Sequence, residues 1–320
     1  MPGKVTDEEF IEIWKRLGSP LKVMNALGLK DARQIYIRRR RLESLGHHLP
    51  SFAATQKSVN TKPVIPESRG VMHHEIKNGQ IFVASDCHYW PDIETVAHKA
   101  FVKLIGEMRP SVVCLNGDVF DGARISRHEP LYGENPPTVK REIEACQDRL
   151  SEIANANKNA KKYWTFGNHD IRLHRYLTVN AIEVETMNDL FDFFPGWNTT
   201  WRLDINHSTV IKHRWHNGVH ATYNNALKSM LNLNQGSAAI VTGHLHRLMI
   251  NVWRGYGGAA YGVDTGTLAE PGGEQFAYCE GNPTPWASGF AVLTFKDGKL
   301  LPPELCEVSQ GVAYFRGQEV

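Results

Sequence analysis

The chain has 320 residues, 42% of them hydrophobic and 22% charged, with a formal net charge of +2. That is length enough for one large domain and a small one, and a composition too ordinary for a disordered chain. No apolar run approaches the roughly 18 residues that span a bilayer, and the N-terminus lacks the apolar stretch of a signal peptide, so no membrane role is expected.

The first segment, residues 1–48, predicts three helices. Phe10, Ile11, Trp14 and Leu17 recur at helical spacing behind the start signal Thr6-Asp7-Glu8-Glu9. Gly18-Ser19-Pro20 breaks the chain, and Leu21, Val23, Met24 and Leu27 suggest a short second helix closed by Gly28. A third helix is expected from about Ala32 to Leu45, with Ile35, Tyr36, Leu42 and Leu45 as its apolar members. A short helix, a glycine-led turn and a longer basic helix resemble the helix-turn-helix domains of DNA-binding regulators and recombinases. That resemblance implies contacts to DNA through Lys30, Arg33, Arg38, Arg39, Arg40 and Arg41, the arginine block neutralising phosphates. The alternative is a small helical bundle that docks a protein, with the arginines on a solvated face. Residues 49–78 are rich in Ser, Pro, Lys and Thr and read as a linker.

Residues 79–320 alternate strand-like and helix-like runs. Strands are expected at Ile81-Phe82-Val83-Ala84, Val112-Val113-Cys114-Leu115, Tyr163-Trp164-Thr165-Phe166, Thr209-Val210-Ile211 and Ala239-Ile240-Val241. Helices are expected from about Ile93 to Met108, Val139 to Asn155 and His220 to Leu231, with two more between Ile171 and Phe193. Later strands from Leu248 to Trp253 and Phe290 to Phe295 imply an α/β core that gains antiparallel strands late. The five cysteines, Cys87, Cys114, Cys146, Cys279 and Cys306, form no C-x-x-C pair, so reduced thiols in a cytoplasm are expected.

Metal-ligating residue types cluster just past these strands, where α/β sheets collect their ligand sites. Asp86 and His88 follow the first strand, and an extended stretch would aim both alternate side chains at one ion. Asp118 follows the second, Asn168 and His169 the third, and His244 and His246 the last. Between them lies a histidine-rich stretch from His213 to His220. Mixed imidazole and carboxylate donors suit Mn, Fe or Zn better than Ca or Mg alone.

The series D-x-H, G-D-x-x-D, G-N-H-D, a lone histidine and G-H-x-H resembles the calcineurin-like metallophosphoesterase superfamily. The resemblance implies an αββα two-sheet sandwich. It implies two divalent cations, Mn²⁺ expected first with Fe, Zn and Mg as alternatives. Asp86, His88, Asp118 and His246 would hold the first; Asp118, Asn168, His244 and a fourth-motif histidine the second. His169 would act as general acid or charge stabiliser, with Asp170 orienting it, while a hydroxide shared by the cations attacks phosphorus. The fourth ligand is expected to be His213, directly after its strand, with His216 as runner-up; Arg214 departs from the family's His-Gly. Asp121 reads as a hydrogen-bond acceptor for a ligand histidine or a plain turn acid, and Arg172 as a phosphate contact or a surface arginine. Trp197, Trp201, Trp253 and Trp286 read as core residues before base-stacking ones.

A basic helix-turn-helix tethered to such a centre points to a DNA phosphodiesterase, an arrangement resembling proteins of bacteriophages and prophages. The alternatives are a phosphomonoesterase on nucleotides or phosphoproteins, and a DNA-binding regulator with a scaffold domain. Oligomeric state stays open, a homodimer included.

Overall fold

A computed structural model of the chain describes residues 5–17, 20–29, 32–49, 70–126, 135–179, 193–214, 238–255 and 258–320. Contacts divide it into two units, Met1–Pro66 and Glu67–Val320. The smaller holds helices α1 (Asp7–Leu17), α2 (Pro20–Ala26) and α3 (Ala32–Ser44), close to the expected places. Thr6 and Glu9 start α1 as a reciprocal cap, Thr6 N–H donating to Glu9 Oε2 at 2.8 Å and Glu9 N–H to Thr6 Oγ1 at 3.3 Å. Phe10, Trp14, Val23, Ile35, Leu42 and Leu49 make its core; burying each contributes about 1.5–3 kcal/mol.

The arginine block does not share one face. Consecutive helical residues are separated by about 100°, so four in a row surround most of the helix. Arg38 donates to Asp7 Oδ1 from Nε and Nη2 (2.9 and 2.7 Å) and lies 5.0 Å from the Phe10 ring. Arg39 pairs with Glu43 at 2.8 Å and lies 4.8 Å from the Trp14 ring. Arg41 also pairs with Asp7, while Arg40 is exposed. The guanidiniums, Arg38 first, hold the Asp7 carboxyl below its ordinary range. Lys30 and the Arg33 side chain lie outside the described residues.

In the larger unit one sheet has nine strands: β2 (Gly79–Ala84), β3 (Val112–Asn116), β4 (Lys161–Thr165), β5 (Asn198–Thr200), β11 (Gly289–Lys296), β12 (Lys299–Leu300), β13 (Glu304–Ser309), β14 (Val312–Phe315) and β15 (Gln318–Glu319). The other has six: β1 (Val71–His74), β6 (Arg202–Ile205), β7 (Thr209–Ile211), β8 (Ala238–Thr242), β9 (Leu248–Gly255) and β10 (Gly258–Thr265). Strands β2 to β5 run parallel, and β11 joins β2 antiparallel. Strands β7, β8 and β10 are also parallel.

The apolar runs in β2, β3 and β11 are continuous because both faces are buried. Ile81, Val83, Val112, Cys114, Ala291 and Leu293 pack toward Ile211, Ala239, Val241 and Val263 of the other sheet. The alternate residues Phe82, Ala84, Val113, Leu115, Phe290 and Val292 pack under helices α4 (Val96–Met108) and α5 (Val139–Ala156). Helix α4 starts later than expected because Thr95 caps it, accepting the His98 N–H at 3.2 Å. The result is a mixed two-sheet sandwich covered by helices on the nine-stranded sheet. The helix expected on residues 220–231 lies outside the described residues, as do residues 180–192; of the two helices expected between Ile171 and Phe193 the described part holds α6 (Arg172–Val179).

Residues 71–74, read as linker, form strand β1, paired in parallel with β6 from Val71 opposite Arg202. A four-residue strand that is half histidine carries too little alternation to stand out; its long-range partner defines it. All five cysteines are free thiols.

Candidate metal centre

Every motif of the sequence series falls at one end of the sandwich. The first three follow β2, β3 and β4 of one sheet; His213 follows β7, and His244 and His246 follow β8, of the other. Asp86 and His88 do come together, but not through extended backbone. Asp86 and His88 have φ of 52° and 40°, Asp118 52°, His244 73° and His246 54°. Non-glycine residues in this left-handed region cost on the order of 1–3 kcal/mol each and gather at functional sites. Tight turns, not strand pleats, bring these side chains together.

Among the described residues three groups of ligand-type atoms lie each within 4.8 Å: His88, Asp121 and His169, and the two that hold the candidate ligands, Asp86, His88 and His246, and Asp118, His213 and His244. His246 Nε2 stands 3.2 Å from Asp86 Oδ1, and His213 Nε2 3.1 Å from Asp118 Oδ2. The two are knitted together, since the His244 N–H donates to Asp86 Oδ2 at 2.9 Å and the His88 N–H to the Asp118 carbonyl at 3.0 Å. His213 is buried, its Nδ1 on the Asn116 carbonyl at 2.7 Å, which leaves Nε2 facing Asp118. His216 lies outside the described residues. Two glycines make room. Gly117 has φ +83° and a Cβ there would meet the His213 ring at 2.4 Å; a Cβ on Gly167 would meet Asp118 Oδ1 at 2.0 Å.

Burial works against the Asp86 and Asp118 carboxylates, but the imidazoles around them outweigh it and hold both below the usual range. Burial lowers His213, yet the Asp118 and Asp86 charges overcome it and raise the ring to about 10. His244 is lowered to about 4, by burial first and then by His213. The carboxylates therefore call for positive charge in their midst. Among the described residues, five of the eight buried side-chain polar atoms without a hydrogen bond belong to the motifs: Asp86 Oδ1, His88 Nε2, Asn168 Oδ1, His213 Nε2 and His246 Nδ1. Each such atom costs about 1–3 kcal/mol unless something satisfies it. Imidazole nitrogens with carboxylate and amide oxygens fit divalent cations, so the residues present suit a pair of them.

The sequence model described as calcineurin-like phosphoesterase matches residues 79–248, a span containing every one of these side chains. The chain belongs to the calcineurin-like phosphoesterase family. No curated protein matches the chain. Solved structures similar to it include the phosphoesterase Yfce of E. coli, at 16% identity over 70% of this chain and 97% of that one, with a TM-score of 0.35. A dimetal phosphatase from Danio rerio is 11% identical over 77% of this chain and 98% of its own, with a TM-score of 0.39.

Around this phosphoesterase centre, Asp121 accepts from a ligand histidine, the first of its two expected roles, while Asp170 departs from expectation. Asp170 was expected to orient His169. Instead its carboxylate accepts N–H groups of Asp118 (2.9 Å), Val119 (2.9 Å), Phe120 (3.2 Å), Gly167 (2.7 Å) and the Trp164 indole (3.1 Å). Burial, then the Asp118 charge, pushes it up to about 6; with N–H donors on both oxygens it serves as a carboxylate clamping two motif turns together. The partner of His169 Nδ1 is Asp121 Oδ1 at 2.9 Å, and the same oxygen takes His88 Nδ1 at 2.7 Å. One carboxylate thus sets the tautomer of both rings.

Two supports carried weaker sequence signals. Glu142 accepts the N–H groups of Gly122 (2.8 Å) and Ala123 (3.2 Å), fixing the turn behind Asp121. Burial, then Asp121, pushes its carboxyl up to about 8. The readable hint is an acid in register with Cys146, Leu150 and Ile153 on the buried side of α5. Arg172, the first residue of α6, donates to the Asp121 carbonyl and to His169 Nε2, both at 3.0 Å. Asp121→Asn is expected to slow hydrolysis and weaken manganese affinity, each by about 10- to 100-fold. Rate measured against added manganese checks this; an unchanged curve would make Asp121 a turn acid only.

Proposed function

We propose that this chain is a two-cation hydrolase of phosphodiesters in DNA. The observation that carries the reaction is the set of buried motif atoms without a hydrogen bond, contributed from both sheets. Asp86, His88, Asp118 and His246 would hold one cation, and Asp118, Asn168, His213 and His244 the other, with manganese the expected metal. When bound, such cations supply Lewis-acid charge to a phosphate oxygen and lower the pKa of a water.

The chain's own residues do the rest. With Arg172 donating to Nε2 and Asp121 accepting from Nδ1, His169 is a neutral imidazole. A phosphate oxygen that draws Arg172 to itself frees Nε2, and the Asp118 and Asp121 charges, working against burial, raise the ring's affinity for a proton. His169 takes up a proton from solvent at Nε2 and donates it to the leaving oxygen, while Arg172 neutralises charge on the phosphate.

DNA as substrate is supported by the three-helix unit, read as a helix-turn-helix domain. Its exposed Arg40 and the ion-paired Arg41, 57% exposed, are the arginines best placed for phosphates. Exchanging an exposed carboxylate partner for a phosphate costs little, because surface pairs contribute only about 0–1 kcal/mol. Arg38 and Arg39 serve the fold of the unit as much as any ligand.

The deciding experiment compares bis-p-nitrophenyl phosphate, p-nitrophenyl phosphate and plasmid DNA as substrates in Mn²⁺. Preference for the diester with cleavage of DNA is expected. Strong preference for the monoester with intact DNA would favour a phosphomonoesterase. In parallel, Arg40→Ala with Arg41→Ala should flatten the salt dependence of DNA binding by about one to two units of slope. An unchanged slope removes the N-terminal unit from DNA recognition.

A further inference from the structure

The connection from β10 to β11, residues 266–288, was not singled out by any motif, yet it is fastened to the metal centre. The Gly266 N–H donates to the Arg247 carbonyl at 2.7 Å, Leu268 N–H to the Ser85 carbonyl at 3.1 Å, and Ala287 N–H to the His246 carbonyl at 2.9 Å. Thr267 Oγ1 donates to the Asp86 carbonyl at 2.5 Å. The segment is held by the D-x-H and G-H-x-H turns themselves, so its side chains are positioned relative to the candidate cation sites.

What it presents there is a run of aromatic rings. Phe276 is buried, 5.2 Å from the His88 ring and 5.1 Å from that of His246. Trp286 is half-buried, 4.5 Å from His246 and 5.0 Å from Phe276. Tyr278 follows, 6.2 Å from Phe276 and 6.5 Å from Trp286, with 54% of its surface exposed. Rings therefore lead from two candidate ligands out to solvent. A buried aromatic in a core needs no ligand; a large ring left open to water beside a charged centre, on a strap tied to that centre, is a binding surface.

We propose that Tyr278 and Trp286 form a nucleobase-stacking subsite, which takes the base attached to the phosphate held at the metal centre. The inference rests on the reading of the substrate as nucleic acid and sharpens it. The flat π-face of any base fits, so the subsite selects a nucleoside over an alkyl or peptide group without selecting a sequence. Phe276 supports the shelf from beneath and excludes water from the His88 and His246 rings.

The test is calorimetric binding to the full, manganese-loaded chain, with thymidine 5′-monophosphate and deoxyribose 5-phosphate as the two probes. They share the phosphate and sugar and differ by the base. The nucleotide is expected to bind tighter by about 5- to 150-fold, the worth of one base–aromatic stack. Tyr278→Leu and Trp286→Leu should each remove most of that ratio while leaving deoxyribose 5-phosphate affinity in place, and Tyr278→Phe should keep the ratio. Equal binding of both probes by the unaltered chain would overturn the subsite. So would a ratio untouched in a Tyr278→Leu variant. The DNA and diester assays judge the phosphodiesterase reading separately, so either idea can fail alone.

Discussion

Asp118→Asn is expected to yield a folded chain with less bound manganese and a rate lower by on the order of 10³-fold, the scale of removing a group that stabilises transition-state charge. The substitution keeps shape and deletes charge. Asp118 is buried, its Oδ2 is 3.1 Å from His213 Nε2, and its Oδ1 accepts the His169 N–H at 2.7 Å. An asparagine oxygen can keep the second contact, so the turn survives. The shared carboxylate of the two proposed cation sites does not, and His213 loses the largest of the charges that raise it. Manganese per chain and turnover of bis-p-nitrophenyl phosphate measure the two effects. Full metal content with full rate would remove Asp118 from its proposed place between the cations.

His169→Ala separates the other half of the mechanism. Its rate should fall by about 10²- to 10⁴-fold with manganese content unchanged, because the ring is tied to Asp121 and Arg172. The loss should be larger for DNA, whose alkoxide leaving group needs a proton, than for a p-nitrophenyl ester, whose leaving group does not. An equal loss on both would assign His169 to charge stabilisation alone. Metal loss in this variant would instead make it a ligand.

The motifs were legible because each is local: a buried strand, then a turn carrying one or two ligand-type residues. Strand ends at β2, β3, β4, β7 and β8 could be read from apolar runs, and so could the place of His213. The geometry of D-x-H could not. Asp86 and His88 converge through left-handed turns that alternation does not encode. The role of Asp170, and the pairing of Asp121 with His169 beside the expected one with a ligand histidine, were also hidden. Asp170 is the next residue after His169 and Asp121 lies 48 residues before it, and only the folded backbone shows that Asp170 faces five N–H donors while Asp121 faces two imidazoles. In the small unit, periodicity located the helices, but the pairing of Arg38 with Asp7 is a contact between helices and leaves no local trace.

By itself the amino-acid sequence located helices α1 to α5, strands β2, β3, β4, β7, β8, β9 and β11, and the cast of candidate ligands, since those follow from patterns within a dozen residues. Tertiary structure decided which motifs meet. Asp118 of one sheet faces His213 of the other, Asp86 faces His246, and the 266–288 strap brings Trp286 against that histidine. Such contacts join residues far apart in the chain, and what selects them is the packing of two sheets, which no short stretch of sequence contains.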